Sequence, residues 1–478
     1  MSMKRAALLA ILWSMGESLG FKIVSAAVVL LLAHIVAPDA FGLVALAQVY
    51  LAAVQIVCDQ GFATALIQRA ALDAEHKDSA FWANLAIGIL LMVLTLFLAD
   101  PLAQLFGEPK FAMVLRWYSL VPLLSSLTIV QSALAYRELR YKALALRQPA
   151  GALAGGLVGI GLAFAGKGIF ALIAQSLVGQ TIAALVLWGV VDWRPRFAFS
   201  RRHFIELFGF GINALATDAM LVISSSADRL LLGYFFGAAD VGYYSVAQRL
   251  MSLAADLVGG TAQGVVLPLF SRIRHDKARI ARGLQLAQGI LTMTVIPAAI
   301  GLAVIAPSLL PLALGQRWNP SILPVQILAL GFLALGLSFF FGYIMTAVGH
   351  PQIRLCVTAA RSLTLCALIL VGTRYGVPGI ALAVTATHII FYGVELAVMR
   401  RLVPFSVPTY LCELFKPALA AAAMAAAVVH LDSFVNIAPV FLLVLKVLLG
   451  IAVYGVILLI FARSRIYRIV NLFTEKSP

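Results

Sequence analysis

The chain has 478 residues, of which 62% are hydrophobic and 12% are charged, and its formal net charge is +15 at pH 7. Soluble globular domains carry about 25% charged residues, so this composition excludes an ordinary soluble protein. Apolar runs follow one another along the whole chain, and polar breaks separate them about every 20 to 30 residues. We therefore expect a protein that lies almost entirely within a lipid bilayer.

The apolar runs have the length of membrane-spanning helices. About 20 apolar residues cross the hydrocarbon core of a bilayer as a helix. Because the hydrocarbon offers no water to backbone amides, and because the runs are continuous instead of alternating, each run is predicted to be a helix and not a barrel strand. The polar breaks predict about fourteen such helices. The predicted fold class is an all-α polytopic membrane protein.

Lysine and arginine are distributed unequally between the loops on the two sides of these helices. The loops on the side of the amino terminus hold 25 of the 35 basic residues, and six more lie within helices. The opposite side holds Lys110, Lys167, Arg317 and Arg374. Since cytoplasmic loops carry the positive charge, both termini are predicted to be cytoplasmic, in a multi-pass protein of the inner-membrane type.

The same distribution explains the basic net charge. Basic residues in short loops beside helices suit topology and anionic lipid head groups, so membrane lipids are expected partners. A basic soluble domain would instead indicate nucleic acid. We therefore expect no nucleic-acid partner.

An internal repeat is visible at an offset of 200 residues. Residues 30–48 and 230–248 align without a gap, with matching leucines, a shared glycine at Gly42 and Gly242, and a shared Ala-Gln pair. The alignment predicts two six-helix lobes, residues 1–200 and 201–404, related by a pseudo-two-fold axis along the membrane normal. Residues 405–478 then form two further helices and a cytoplasmic tail. Two-lobed repeats of this kind build the central cavity of many secondary transporters; the alternative is a chance match between leucine-rich segments.

Gly151, Gly155 and Gly159 recur every four residues in the fifth predicted helix. Such spacing places small residues on one face of a helix, where it permits close packing against a neighbour. A nucleotide-binding loop would require a preceding strand, which the hydrophobic pattern does not predict. The pattern indicates close helix packing.

Ionisable residues within the predicted helices are costly in a membrane and indicate function by default. They are Glu17, Lys22, Arg116, Asp218, Asp228, Arg229, Arg249, Asp256, Arg361, Glu395 and Lys446. Four of the basic residues predict a cationic cavity for an anionic cargo: Lys22, Arg229, Arg249 and Arg361. Three acidic residues are candidates for ion coupling: Glu17, Asp228 and Asp256.

A structural role is the alternative for several of these residues. Arg116, Arg229, Arg361 and Lys446 can extend to the membrane interface or pair with a nearby acid. For Arg229, which follows Asp228, both interpretations stay open. Lys22 and Arg249 lie deeper in their predicted helices, which favours a functional role.

The sequence contains no recognisable catalytic set. The seven histidines are scattered, no His-Glu-x-x-His motif occurs, and no predicted loop is long enough to present an acid and a base on a rigid platform. We expect no catalytic residues, no metal site and no cofactor, and therefore a protein that is not an enzyme.

Several short segments resemble one family of membrane proteins. They are residues 38–42 (PDAFG), 59–61 (DQG), 228–233 (DRLLLG), 242–250 (GYYSVAQRL), 315–318 (GQRW) and 347–351 (AVGHP). In this order they resemble the polysaccharide transporter family of bacterial lipid-linked oligosaccharide flippases. Its superfamily also contains the multidrug and toxic-compound extruders and the lipid II flippases. The segments extend over nearly the whole chain.

The resemblance implies a function that the residue pattern alone does not. It implies transfer of an undecaprenyl-diphosphate-linked sugar repeat unit across the bacterial inner membrane, with a polysaccharide polymerase and co-polymerase as partners. Arg249 matches the position of a cavity arginine in lipid II flippases, although Gln248 replaces the acidic neighbour often found there. Lys22 is a looser match to basic residues of their first helix. A multidrug or cation antiporter of the same fold and a membrane-embedded polymerase or ligase are the alternatives.

Overall fold

The structure is a computed structural model, and it describes residues 24–59, 61–69, 72–138, 140–206, 226–259, 270–271, 273–435 and 437–461. The chain forms two compact units, Met1–Ser245 and Val246–Pro478. The division falls within one helix, Ala238–Gly259. The predicted lobe boundaries at residues 200 and 404 stay a prediction.

The described residues of unit 1 are mainly helical. In chain order the helices are α1 (Val24–Ile35), α2 (Pro38–Asp59), α3 (Phe62–Gln68), α4 (Ala74–Leu105), α5 (Pro109–Tyr118), α6 (Leu120–Arg137), α7 (Tyr141–Phe164), α8 (Ile169–Val190), α9 (201–206), α10 (226–236) and the first part of α11 (Ala238–Gly259).

Unit 2 begins within α11, and its described residues are mainly helical. Its helices are α12 (Lys277–Leu314), α13 (Ile322–Leu337), α14 (Phe341–Ala347), α15 (Pro351–Gly372), α16 (Gly376–Leu402), α17 (Val407–Phe434) and α18 (Pro439–Phe461). Two 3-10 helices, Gln316–Ser321 and Thr373–Tyr375, connect the neighbouring helices.

The predicted fold class is confirmed. Within the described ranges, nine helical segments are long and apolar enough to cross a membrane, and the shorter apolar helix α1 precedes them. No strand occurs in the part of the chain that the structure describes. This arrangement is compatible with about fourteen spans. The protein is a multi-pass helical membrane protein.

The apolar segment Pro109–Arg137 contains two consecutive helices. α5 ends at Tyr118 and α6 begins at Leu120, with Ser119 in a turn between them. Pro122 follows within the first turn of α6 and has no backbone N–H to bond the carbonyl of Tyr118. The break between α5 and α6 therefore coincides with a backbone hydrogen bond that Pro122 cannot form.

The glycines of α7 pack closely against α8, as their spacing predicted. A Cβ atom at Gly151 would overlap the carbonyl oxygen of Gly179, and one at Gly155 would overlap that of Gln175. A Cβ atom at Gly159 would lie 2.8 Å from the Cβ of Gln175. Only glycine permits the two helix backbones to approach this closely.

The core of unit 2 lies where α12, α13 and α16 pack together, and α17 and α18 pack against α12 from one side. Aromatic side chains fill the end of this core near α14, where Phe341 and Tyr410 are almost fully buried. A smaller cluster around Met424 and Tyr454 joins α17 and α18 to α12. This second contact forms one wall of the groove described below.

Candidate functional site

Unit 2 contains an apolar groove between α11, α12, α17 and α18. Its volume is about 670 Å³. Small residues keep it open, among them Gly301 on α12 and Gly450 on α18. A Cβ atom at Gly301 would lie 3.7 Å from Cε of Met424. The nearest atom across the groove from this glycine therefore belongs to the Met424 side chain and not to a helix backbone.

The lining of the groove is almost entirely apolar. Lys446 and Tyr454 are its polar lining residues among those described, and both are bound within the protein. The hydroxyl of Tyr454 donates to the carbonyl oxygen of Met293 at 3.0 Å. The Lys446 ammonium donates to Asp432 at 2.8 Å and to Ser308 at 2.7 Å. A flexible apolar chain therefore suits this groove better than a polar solute.

Lys446 is a structural residue in this arrangement. Its side chain is 3% exposed, whereas that of its partner Asp432 is 53% exposed. The ion pair joins the last turn of α17 to α18 and neutralises the lysine inside the apolar surroundings. Local pairing, the structural alternative for this residue, is confirmed.

Arg249 lies on α11 one turn before a groove residue. It is exposed, and Leu253, four residues later on the same helix face, lines the groove. Asp256 follows two turns after Arg249, is half-buried, and acts electrostatically on it. The helix thus brings together two of the predicted site residues, one cationic and one acidic, beside the apolar groove.

Arg361 is paired within unit 2. Its Nη1 lies 3.5 Å from Oε1 of Glu395 on α16, and the carboxylate side chain is only 9% exposed. His388 lies on the same face of α16, about two turns earlier, and its Nδ1 is buried without a hydrogen-bond partner among the described residues. A role of Arg361 in binding cargo stays a prediction, and the structure adds Glu395 as its partner.

Asp228 and Arg229 lie at the start of α10, in unit 1. Asp228 is buried, accepts a hydrogen bond from the Tyr244 hydroxyl at 2.8 Å, and accepts another from the backbone N–H of Arg229 at 2.8 Å. The guanidinium of Arg229 donates to Ser226 at 3.4 Å. The bond from Tyr244 joins α10 to α11, which is a structural role, and the other two bonds lie within α10. Any coupling role of Asp228 or cargo role of Arg229 stays a prediction.

Three of the candidate residues lie outside the described residues: Glu17, Lys22 and Asp218. Nη2 of Arg116 donates to both carboxylate oxygens of Asp100, at 2.8 Å each, and both side chains are exposed. Local pairing is therefore confirmed for Arg116.

Sequence reasoning missed two arrangements that depend on packing. The groove draws its lining from four helices that are far apart in the chain, and no local pattern marks it. Near the start of α4, ligand-type atoms of Asp73, His76 and His203 lie within 4.8 Å of one another. The spacing of these residues along the chain, unlike a zinc-finger spacing, gave no signal for this cluster.

Comparison with known proteins identifies the family. A family model described as "Polysaccharide biosynthesis protein" matches residues 31–323. The chain belongs to this polysaccharide biosynthesis family. The match includes α2, most of unit 1 and α12, and it therefore includes Arg229, Arg249 and the α11 and α12 sides of the groove.

Relatives in bacteria show the same affiliation. The chain is 30% identical over 289 residues to the succinoglycan biosynthesis transport protein ExoT of Rhizobium meliloti (strain 1021), covering 60% of the chain and 58% of the relative. It is 23% identical over 279 residues to the teichuronic acid biosynthesis protein TuaB of Bacillus subtilis (strain 168), covering 58% of each. It is 23% identical over 363 residues to the lipopolysaccharide biosynthesis protein WzxC of Escherichia coli (strain K12), covering 75% and 74%. The chain thus matches just under three fifths of the length of ExoT and TuaB.

Solved structures share the fold of this family member. A structure described as lipid II flippase MurJ, inward closed conformation, superposes with a TM-score of 0.78 at 16% identity, covering 95% of the chain and 100% of that structure. An inward-facing multidrug transporter of the MATE family gives 0.64 at 15% identity, covering 80% and 94%. At these identities the likeness establishes the fold, and the resemblance predicted from the short segments is confirmed.

Proposed function

We propose that this protein moves an undecaprenyl-diphosphate-linked oligosaccharide repeat unit from the cytoplasmic to the periplasmic leaflet of the bacterial inner membrane by alternating access. Membership of the polysaccharide biosynthesis family supports this class of cargo. The names of two similar proteins, a succinoglycan transport protein and a lipid II flippase, support movement of the cargo.

The observation that carries the proposal is the apolar groove of unit 2 with Arg249 beside it. An isoprenoid tail is a flexible hydrocarbon chain, and the groove offers such a chain an apolar lining. The diphosphate carries at least two negative charges and needs cationic donors when it leaves the head-group layer. Arg249, one turn from Leu253 of the groove, is the cation that we assign to the diphosphate.

The remaining site assignments extend this proposal. Lys22, Arg229 and Arg361 are proposed as further cationic contacts along the path of the diphosphate. Glu17, Asp228 and Asp256 are proposed as groups that couple transport to an ion gradient. Asp256 has the most direct support, because it acts electrostatically on Arg249 from two turns away.

We also propose that the protein does not modify its cargo, lies in the inner membrane with both termini in the cytoplasm, and works with a polysaccharide polymerase and co-polymerase. The excess of basic residues on one set of loops supports the orientation. A reporter fused after Pro478 tests it: a reporter active only in the periplasm would contradict the proposed topology.

A vesicle assay tests the function. Purified protein is reconstituted into liposomes that contain a labelled undecaprenyl-diphosphate-linked oligosaccharide, and an external reagent reports the accessible fraction. We expect the protein to expose substrate from the inner leaflet without changing its mass. Arg249→Ala should slow this at least tenfold, because a charge-assisted contact is worth about 1.5 to 3 kcal/mol.

Two results would overturn the proposal. A change in glycan length or linkage caused by the purified protein alone would indicate a polymerase or ligase. Unchanged substrate exposure together with export of cationic dyes would indicate a drug antiporter of the same fold.

A further inference from the structure

Unit 1 contains a cavity of its own. Its volume is about 410 Å³, within the range of roughly 300 to 1,000 Å³ that is typical of small-molecule sites. Helices α1, α6, α7 and α8 form its walls. Arg229, Arg249 and Arg361 are not among its described lining residues.

The cavity is polar although it lies among apolar helices. α8 turns Gln175, Ser176 and Gln180 toward it, and these positions, with the small residue Gly179 between them, lie on one helix face. α7 turns Arg147 and Gln148 toward the same space. A polar face on a helix as apolar as α8 is expensive in a membrane and indicates function.

The polar groups of the cavity are only partly satisfied within the protein. The side-chain amides of Gln148 and Gln175 make no hydrogen bond to any described residue. The Gln180 amide donates to Ser176 at 3.3 Å. Gln148, Gln175 and Gln180 are half-buried, so their amide donors and acceptors are open to the cavity and available to a ligand rich in hydroxyl groups.

Arg147 gives the cavity a positive charge. Its Nη1 donates to Ser132 at 2.8 Å, and its Nε is buried without a partner among the described residues. None of the described lining residues is acidic, and Arg147 has no ion pair within the described part of the chain. An arginine keeps its charge at any physiological pH and binds carboxylates through two parallel N–H donors.

The walls of the cavity are rigid. Gly151 and Gly179, which line it, are also the glycines at which the backbones of α7 and α8 touch. A side chain at either glycine would separate the two helices. The close contact therefore fixes the distance between the polar residues of α7, Arg147 and Gln148, and those of α8, Gln175 and Gln180. A preformed site of fixed width favours a rigid ring over a flexible chain.

We propose that this cavity is a sugar subsite for an acidic pyranose, a hexuronic acid residue of the oligosaccharide, with Arg147 binding the carboxylate and the glutamine amides binding the ring hydroxyls. This inference rests on the proposed function, since it assigns the glycan of the cargo to unit 1. The chemistry that the site recognises is an anion next to several hydroxyl groups. An anionic lipid head group of the phosphatidylglycerol type shares that chemistry, and the experiment separates the two.

The test measures binding of free saccharides to the purified full-length protein. The probes are a disaccharide that contains glucuronic acid and the corresponding disaccharide that contains glucose. We expect the wild type to bind the acidic disaccharide at least about tenfold more tightly, the ratio that one charge-assisted contact supplies. Arg147→Gln should bind both equally, and Arg147→Lys should keep part of the preference.

Two further variants control the result. Arg116→Gln removes an exposed arginine of the same unit that does not line the cavity, and its preference should equal that of the wild type. Ala152→Leu keeps the charge but fills the cavity, so it should weaken binding of both disaccharides. It also remains informative if Arg147→Gln does not fold.

The possible outcomes separate this proposal from the function on which it rests. No saturable binding by the wild type, or an unchanged preference in Arg147→Gln, would overturn the sugar subsite even if the vesicle assay succeeds. Binding through Arg147 without any exposure of lipid-linked substrate would support the subsite and overturn the flippase. Tighter binding of short-chain phosphatidylglycerol than of the acidic disaccharide would assign the cavity to a lipid head group and overturn the sugar assignment.

Discussion

Gly42 on α2 and Gly242 on α11 meet in a reciprocal backbone contact. A Cβ atom at Gly42 would overlap the carbonyl oxygen of Ala238, and one at Gly242 would overlap that of Pro38. Gly42 thus packs against Ala238, which lies four residues before Gly242, and Gly242 packs against Pro38, which lies four residues before Gly42. Pro38 and Ala238 are the first residues of their helices. A local two-fold axis between the helices produces this reciprocity. The two glycines occupy equivalent positions in the aligned segments 30–48 and 230–248, so the contact supports the predicted repeat.

Alanine at either glycine of this contact should destabilise the protein. Helix propensity alone favours alanine, but the added Cβ must push the two backbones apart, at a cost of about 1 to 3 kcal/mol. Gly161→Ala is the matched control, because nothing lies within 4 Å of its Cβ position. Thermal unfolding of the detergent-purified variants measures the difference. Equal midpoints for Gly42→Ala and Gly161→Ala would contradict the close contact.

Substitutions of the Lys446 and Asp432 pair should have unequal effects. Asp432→Asn leaves a buried ammonium without its counter-charge, whereas Lys446→Met leaves a half-exposed carboxylate that water can solvate. Removing one partner of a buried pair costs about 3 to 5 kcal/mol when the remaining charge stays buried. We therefore expect the lower thermal midpoint in Asp432→Asn. The reverse order would show that Lys446 reaches water in the folded protein.

A double-mutant cycle separates two roles of Arg361. Arg361→Met leaves the buried Glu395 carboxylate unpaired, so we expect a loss of about 1 to 3 kcal/mol. Adding Glu395→Gln should recover most of that stability, because no buried charge then remains. If Arg361 also binds cargo, the stable double variant will still fail in the vesicle assay. Full transport by the double variant would remove Arg361 from the cargo path.

Filling the apolar groove should block transport without unfolding the protein. Gly301→Leu places a side chain in the space bounded by Met424, where the isoprenoid tail is proposed to lie. Gly393→Leu is the control, since this exposed glycine of α16 has nothing within 4 Å of its Cβ position and does not line the groove. We expect at least tenfold slower substrate exposure in vesicles for Gly301→Leu alone. Similar rates in the two variants would exclude the groove from the transport path.

Glu206 should make the stability of unit 1 depend on acid pH. Hydrogen bonds from Arg69, and to a smaller extent from Arg202, lower the pKa of this carboxyl group in α9 to about 2. A lowered pKa in the folded state contributes stability above the ordinary pKa of glutamate, and that contribution is lost as the pH falls toward 2. The thermal midpoint of the wild type should therefore fall between about pH 5 and pH 3 more steeply than that of Glu206→Gln. Parallel pH profiles would contradict this role.

The sequence alone determined the class of protein and much of its local structure. Continuous apolar runs predicted helices because the hydrocarbon core of a membrane offers no hydrogen-bond partners, so that backbone N–H and C=O groups must bond to each other. The regular spacing of Gly151, Gly155 and Gly159 predicted the close contact of α7 with a neighbour. These features depend on residues close together in the chain, and hydrophobicity and glycine spacing indicate them directly.

The tertiary structure decided which charges are paired and where the cavities lie. Arg361 meets Glu395, and Lys446 meets Asp432, because the rotation of each helix about its own axis brings those faces together. The groove and the Arg147 cavity each combine side chains from four helices. In a chain so uniformly apolar, hydrophobicity distinguishes a helix from a loop but not one face of a helix from another. Helix packing, which depends on small residues and on ion pairs between distant segments, makes that distinction.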